Sequence, residues 1–261
     1  MSAESSLVVT VDGAVATLRL NRPTAGNSLD VPLARSLMEA AIRCDEDPAI
    51  RCVVLTGTGR FFCAGGDVGA FAAAGDAAPA LIKQITGYLH LAIARLARMP
   101  KPLVTAINGP AAGAGFSLAI LGDIAIAARS AHFTLAYTAI GLSPDGGSTW
   151  LLPRLVGLRR AQELALLNRR VAGDEAVALG LITRVVDDSD LETAIQAMAS
   201  DLSRGATGAL GQTRRLLLNS FNASFETQME DESRGISDAM RTAHAREGAQ
   251  SFVEKRKPIF A

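Results

Sequence analysis

The sequence predicts a mixed α/β fold, and three observations carry that expectation. Short apolar runs at 52–56, 103–107 and 123–128 read as buried strands. Stretches with helical spacing lie between them, and that alternation implies strands joined by crossover connections. From residue 206 onward the strand signal stops and helical patterns fill the rest. A core at 1–200 and a C-terminal helical region at 201–261 are therefore expected, with the boundary near 195–205.

In chain order, 7–11 and 15–20 read as a β-hairpin turning at Asp12-Gly13-Ala14. Pro23 ends the second strand, since proline cannot continue a ladder. Asp30 is placed to cap a helix from Val31-Pro32 to about Cys44. After the 52–56 strand and a Gly57-Thr58-Gly59 turn, 70–79 is rich in alanine and glycine and reads as a mobile loop or weak helix. Ile82, Ile85, Leu89, Ile93 and Leu96 then mark a helix over 81–98, with His90 beside Leu89. Pro100 and Pro102 close it. Further helices are expected at 116–121, 148–155, 158–168, from 172 to Gly180, and at 191–202, with a strand at 181–186. Helical patterns at 210–218 and 225–240 follow.

The chain's 261 residues, 49 % hydrophobic, can bury a sizeable core. Lys+Arg 26 balance Asp+Glu 26, aromatics are 5 %, and no long basic run exists, which argues against nucleic acid as a partner. Cys44, Cys52 and Cys63 suggest neither a disulfide framework nor a metal site, so a reducing, cytoplasmic setting is expected. Cys63 reads as a small buried thiol. No basic segment followed by an apolar core opens the chain, so no signal peptide is expected. Gly122 and Asp123 interrupt the longest apolar run, so no membrane span is expected. No metal or redox cofactor is implied, because neither a ligand cluster nor a dinucleotide fingerprint is present.

Two loops stand out: Phe62-Cys63-Ala64-Gly65-Gly66-Asp67 and Asn108-Gly109-Pro110-Ala111-Ala112-Gly113-Ala114-Gly115. Each follows a strand, and small residues let the backbone approach a ligand closely. The second runs into a helix, whose free N–H groups face whatever lies in front of it. Two N–H donors converging on one oxygen stabilise charge developing there. Glycine-rich turns without chemistry fit the same letters.

The two loops resemble the signature loops of the crotonase (enoyl-CoA hydratase/isomerase) superfamily. The resemblance continues through Leu20-Asn21-Arg22-Pro23, Asn27-Ser28-Leu29, the stretch from Gly141 to Trp150, and Arg246-Glu247-Gly248. It implies a crotonase-like ββα spiral core with a C-terminal helical subdomain that covers the site and makes trimer contacts. It also implies an acyl-CoA thioester substrate, with coenzyme A arriving as part of that substrate rather than as a separate cofactor, and a homotrimer or a hexamer built as a dimer of trimers. The backbone N–H groups of Gly66 and Ala114 would bind the thioester oxygen. Arg22 and Ala25 would meet the nucleotide end, Ala64, Gly65 and Asp67 the pantetheine, and Lys255 a phosphate, although Lys255 also reads as a solvated cation.

Two glutamates serve the hydratases of this family, one to activate water and one to supply a proton. Here those positions are Ser117 and Tyr137, both poor bases at neutral pH. The run from Ile140 to Gly157 resembles the ring-opening isomerases of phenylacetate degradation, which implies that Asp145 is the catalytic acid/base. Asp145 also stands where a helix N-cap carboxylate would. A single carboxylate suits a proton shuttle, so double-bond isomerisation of an enoyl-CoA is the leading expectation. A hydratase, or a hydrolase of dehalogenase-like type assisted by His90, is the alternative among enzymes. His90 itself reads first as a packed or half-exposed side chain. A non-catalytic acyl-CoA- or RNA-binding member is the alternative of another class.

Overall fold

The expected hairpin opens the chain in the computed structural model, which describes residues 5–260. Leu7–Asp12 (β1) and Val15–Leu20 (β2) pair antiparallel and turn at Gly13, where φ is +54°. Asp30 accepts from the Leu33 N–H at 2.8 Å and so caps Val31–Glu46 (α1), which has proline in its first turn. Cys52–Gly57 (β3) then runs parallel to β2, with Leu18 opposite Leu55.

Of the two expectations for 70–79, a mobile loop or a weak helix, the structure shows helix, started by a side-chain cap. Asp67 accepts from the Ala70 N–H at 3.1 Å and starts Val68–Ala74 (α2). Gly75–Ala77 forms a 3-10 turn, and Ala78–Arg98 (α3) begins three residues before the expected start at 81, with Pro79 in its first turn. Leu103–Ile107 (β4) follows, then Ala111–Ala112 (β5), Ala114–Ala119 (α4), Ile124–Ala128 (β6) and His132–Thr134 (β7). The rest comprises Ser148–Val156 (α5), Leu158–Leu167 (α6), Val171–Ala172 (β8), Gly173–Ala178 (α7) and Arg184–Val186 (β9). Last come Leu191–Ser203 (α8), Thr207–Ser220 (α9), Phe225–Met240 (α10) and Ala243–Val253 (α11).

The main sheet has the order β1-β2-β3-β4-β6-β9, parallel from β2 onward. Helices pack on both faces, which explains why β3 and β4 read as unbroken apolar runs. Val53 and Leu55 point into the larger core, which includes buried residues of α1 and α3. Cys52 and Val54 point the other way, against Leu191, Ile195 and Ala199 of α8. All three cysteines are buried free thiols. Desolvation pushes Cys63 up to about 12, so it stays a protonated packing residue.

Strands β5, β7 and β8 form a second, three-stranded sheet. Two or three residues carry no period, so these strands were not legible in the sequence. The strand expected at 181–186 shortens to β9, because Leu181 and Ile182 bury themselves in the turn after α7. There the Leu181 N–H donates to the Ala176 carbonyl at 2.8 Å. No helix among the described residues is long and apolar enough to cross a membrane.

Arg214 on α9 fastens that helix to the core. Its guanidinium reaches the Leu96, Met99 and Lys101 carbonyls around the end of α3 and pairs with Asp123 Oδ2 at 2.6 Å. Replacing it with leucine takes the donor from those carbonyls and leaves Asp123 only its bond from the Leu103 N–H. The expected loss is about 2–3 kcal/mol, read as a lower denaturant midpoint with an unchanged slope.

Candidate active site

The two signature loops are held side by side by main-chain hydrogen bonds. Cys63 and Ala111 form a parallel bridge: the Cys63 N–H donates to the Pro110 carbonyl at 3.2 Å, and the Ala112 N–H to the Cys63 carbonyl at 2.9 Å. Because the pairing is parallel, equal steps along each loop remain neighbours. Gly65 and Gly113 are in close contact, and one residue further on come Gly66 and Ala114. Gly65 needs its glycine: φ is +101°, and a Cβ there would lie 2.9 Å from the Ala112 carbonyl.

Side chains brace the loops from behind. Buried Asn27 donates through Nδ2 to the carbonyls of Thr58, Phe61 and Phe62. Asn108 accepts from the Gly57 N–H at 3.1 Å and donates to the Gly59 carbonyl at 2.8 Å. Gly66 lies outside the regular elements, and Ala114 is the first residue of α4, where an N–H has no partner within the helix. Neither N–H donates in the backbone hydrogen bonds of the described residues, and both residues line one cavity.

That cavity has a volume of about 360 Å³ and a largely apolar wall. Phe71 of α2, Ile82, Ile85 and Leu89 of α3, and Ile140 and Leu142 contribute to it. Among the described residues that line it, Asp145 supplies the one carboxylate, beside the Tyr137 phenol.

The main chain at Asp145 is pinned so that its side chain is left for the cavity. The Asp145 carbonyl accepts from the hydroxyls of Ser117 and Ser148, each at 2.9 Å. Gly146 follows with φ +62°, and a Cβ there would meet Ser117 Cβ at 2.9 Å. The N-cap of α5 is Gly147, without a side-chain cap, so the Asp145 carboxylate does not serve as the helix cap. It faces Tyr137 and His90 instead.

Tyr137 donates to Asp145 Oδ1 at 2.6 Å, and Ser117 Oγ lies 3.4 Å from the phenol oxygen. Burial, then the nearby carboxylate, pushes the phenol well above its ordinary value, so Tyr137 remains a protonated donor. Asp145 Oδ2 lies 3.4 Å from His90 Nε2, which in turn accepts from the Gly146 N–H at 3.2 Å. Positions 117 and 137, where the family's hydratases carry glutamates, thus hold the polar partners of Asp145. Polar residues at both positions were the signal in the sequence, but nothing there revealed their common partner. Replacing Tyr137 with phenylalanine removes a charge-assisted bond, for which a fall in kcat of about tenfold or more is expected, with KM little changed, in steady-state kinetics.

The sequence profile described as "Enoyl-CoA hydratase/isomerase" matches residues 10–261. The chain belongs to this family. It is 41 % identical over 251 residues to the 1,2-epoxyphenylacetyl-CoA isomerase of Escherichia coli (strain K12), covering 96 % of each chain. It is 32 % identical to 4-chlorobenzoyl coenzyme A dehalogenase-2 of an Arthrobacter species, covering 98 % of this chain and 94 % of that one. The crystal structure of an enoyl-CoA hydratase from Polaromonas sp. JS666 superposes with a TM-score of 0.93 at 32 % identity, covering 98 % of this chain and 99 % of the other. The expected crotonase fold and the likeness to the ring-opening isomerase branch are both met, and the chain is an enzyme of the crotonase superfamily.

Within this family member, the residues expected at the CoA end are arranged unevenly. The Arg22 guanidinium is committed inside the protein: Nε to Asp30 at 3.2 Å, NH1 to the Ser28 carbonyl at 2.6 Å and NH2 to Asp67 at 3.1 Å. This clamp joins the start of α1 to the first signature loop. A backbone hydrogen bond from Ala70 and the Arg22 pair together hold Asp67 below its usual range, so it is ionised. Ala25 ends a 3-10 turn at Pro23–Ala25, while Ala64 and Gly65 line the cavity. Lys255 is exposed after α11 and is not part of the cavity wall. The Arg246-Glu247-Gly248 motif fastens the C-terminal stretch: Glu247 pairs with Arg256 at 2.5 Å and accepts from the Ile259 N–H at 2.9 Å.

Proposed function

We propose that the enzyme shifts a carbon–carbon double bond within an enoyl-CoA. The observation that carries this reading is the Asp145 carboxylate in a cavity also lined by Gly66 and Ala114, neither of whose N–H groups donates in the backbone hydrogen bonds of the described residues. Asp145 takes a proton from the carbon next to the thioester carbonyl, and the electron pair moves toward the carbonyl oxygen. The N–H groups of Gly66 and Ala114 stabilise the charge there. Return of the proton two carbons further along completes the shift, with no atom gained or lost. Hydration needs a second acid/base group to handle water, and Ser117 and Tyr137 instead donate hydrogen bonds toward Asp145.

Coenzyme A enters as part of the thioester, with no separate cofactor, and its pantetheine runs along Ala64 to Asp67. Exposed apolar residues on α9 and α10, Leu217, Phe225, Met229, Ile236 and Met240, with Phe221 just after α9, support a trimer or a hexamer of two trimers formed through the 201–261 region. Buried free thiols suit a cytoplasmic setting.

The test supplies purified enzyme with a 3-enoyl-CoA and, separately, a 2-enoyl-CoA, and weighs the products. Conversion of the first at unchanged mass supports the reading, and a gain of one water by the second defeats it.

The approach of His90 to Asp145 favours a second reading. There Asp145 attacks an aryl carbon of a halogenated aryl-CoA, halide leaves, and His90 deprotonates the water that hydrolyses the resulting ester. Halide release from 4-chlorobenzoyl-CoA would select it.

A further inference from the structure

We infer that Ser117 is a positioning residue: it ties Asp145 to the helix that begins with Ala114, and so fixes the span between the proton shuttle and the oxyanion donor. The inference rests on the isomerase reading above and concerns how the two halves of that site are held in register.

Three observations carry it. One helix serves both groups, since α4 opens with Ala114 and Ser117 follows three residues on, on the same face. All six residues of α4 are buried, which makes the helix a fixed platform. Asp145, by contrast, stands on a segment with little packing of its own. Gly141, Leu142 and Ser143 are exposed, and Gly141, Gly146 and Gly147 have φ of +75°, +62° and +79°.

Ser117 joins the two. Its hydroxyl donates to the Asp145 carbonyl at 2.9 Å. A Cβ on Gly146 would lie 2.9 Å from Ser117 Cβ, so the loop rests directly on this side chain. Ser148 gives the same carbonyl a hydroxyl at 2.9 Å and an N–H at 3.2 Å, but it belongs to α5, three residues along the same segment, and supplies no tie to α4. Tyr137 aims the carboxylate through Oδ1, whereas Ser117 sets where the main chain that carries it stands.

The chemistry needs that span. The thioester oxygen is held at one end of it, and Asp145 must reach the adjoining carbon from the other. A misplacement of about 1 Å costs about 10²-fold in such a step. Ser117 itself gains and loses no proton: the substrate proton passes to Asp145 and back to the product.

The experiment compares the wild type with Ser117→Ala and Ser117→Thr. Isomerisation of a 3-enoyl-CoA gives kcat. Calorimetric titration with a saturated acyl-CoA gives Kd, and the infrared spectrum of that ligand, labelled with carbon-13 at the thioester carbonyl, gives the frequency that N–H donors lower. Ser117→Ala is expected to reduce kcat roughly tenfold, less than the full cost of misplacement because Ser148 remains, with Kd and carbonyl frequency unmoved. Ser117→Thr keeps the hydroxyl and is expected to recover most of the lost rate. An unchanged kcat in Ser117→Ala overturns the tie. So does a carbonyl frequency or Kd that moves in step with kcat, because Ser117 would then only support α4. A threonine variant as slow as the alanine variant overturns it too, since only one of them has the hydroxyl. Each of these results leaves the isomerase reading intact, whereas absence of isomerised product from the wild type removes that reading and the tie together.

Discussion

Asp145→Asn is expected to lower kcat by about a thousandfold, within the range of a positioned acid–base group, while KM changes little. The amide is nearly isosteric with the carboxylate but cannot take a proton from carbon. Its neighbours should remain in place, because the main chain here is held by two serine hydroxyls on the Asp145 carbonyl rather than by the side chain. The Tyr137 phenol can still donate to the amide oxygen. Steady-state kinetics on an enoyl-CoA, beside calorimetric titration with a saturated acyl-CoA, give the two numbers needed. Parallel loss of binding and turnover would assign Asp145 a structural role.

Gly115→Ala is expected to damage fold and chemistry together. A Cβ at this buried position would lie 2.1 Å from the Cys63 carbonyl oxygen and 2.7 Å from both Cys63 C and Cβ. Two of those three atoms are backbone, so no rotamer change relieves the clash. The α4 start must move away from the first loop, breaking the Cys63–Ala111 bridge that sets Ala114 beside Gly66. Overpacking of this kind costs about 1–3 kcal/mol, visible in a denaturation midpoint. Loss of one donor to the developing oxyanion costs about 10²–10³ in kcat. A variant that keeps full activity would show that the two loops do not need their close approach.

The sequence alone carried much of what depends on neighbours along the chain. The apolar runs of β3 and β4 announced a sheet covered on both faces, the spacing of Ile85, Leu89 and Leu96 a helix with a buried stripe, and Asp30 a cap. Those features are local: period, chain stiffness and capping chemistry act within a few residues. The two small-residue loops were legible for the same reason, since close backbone approach demands glycine or alanine in a fixed order.

Only the tertiary structure decided which side chains share a site. Ser117, Tyr137 and Asp145 come from α4, from the turn after β7 and from the loop before α5, and His90 reaches them from the middle of α3, 55 positions before Asp145. The same holds at Arg22, expected at the nucleotide end of the substrate, whose guanidinium is engaged by Asp30, Ser28 and Asp67. Spacing along the chain cannot encode such meetings, because they follow from the path of the crossovers and the packing of helices onto the sheet. The sequence therefore named the carboxylate, and the fold chose its partners.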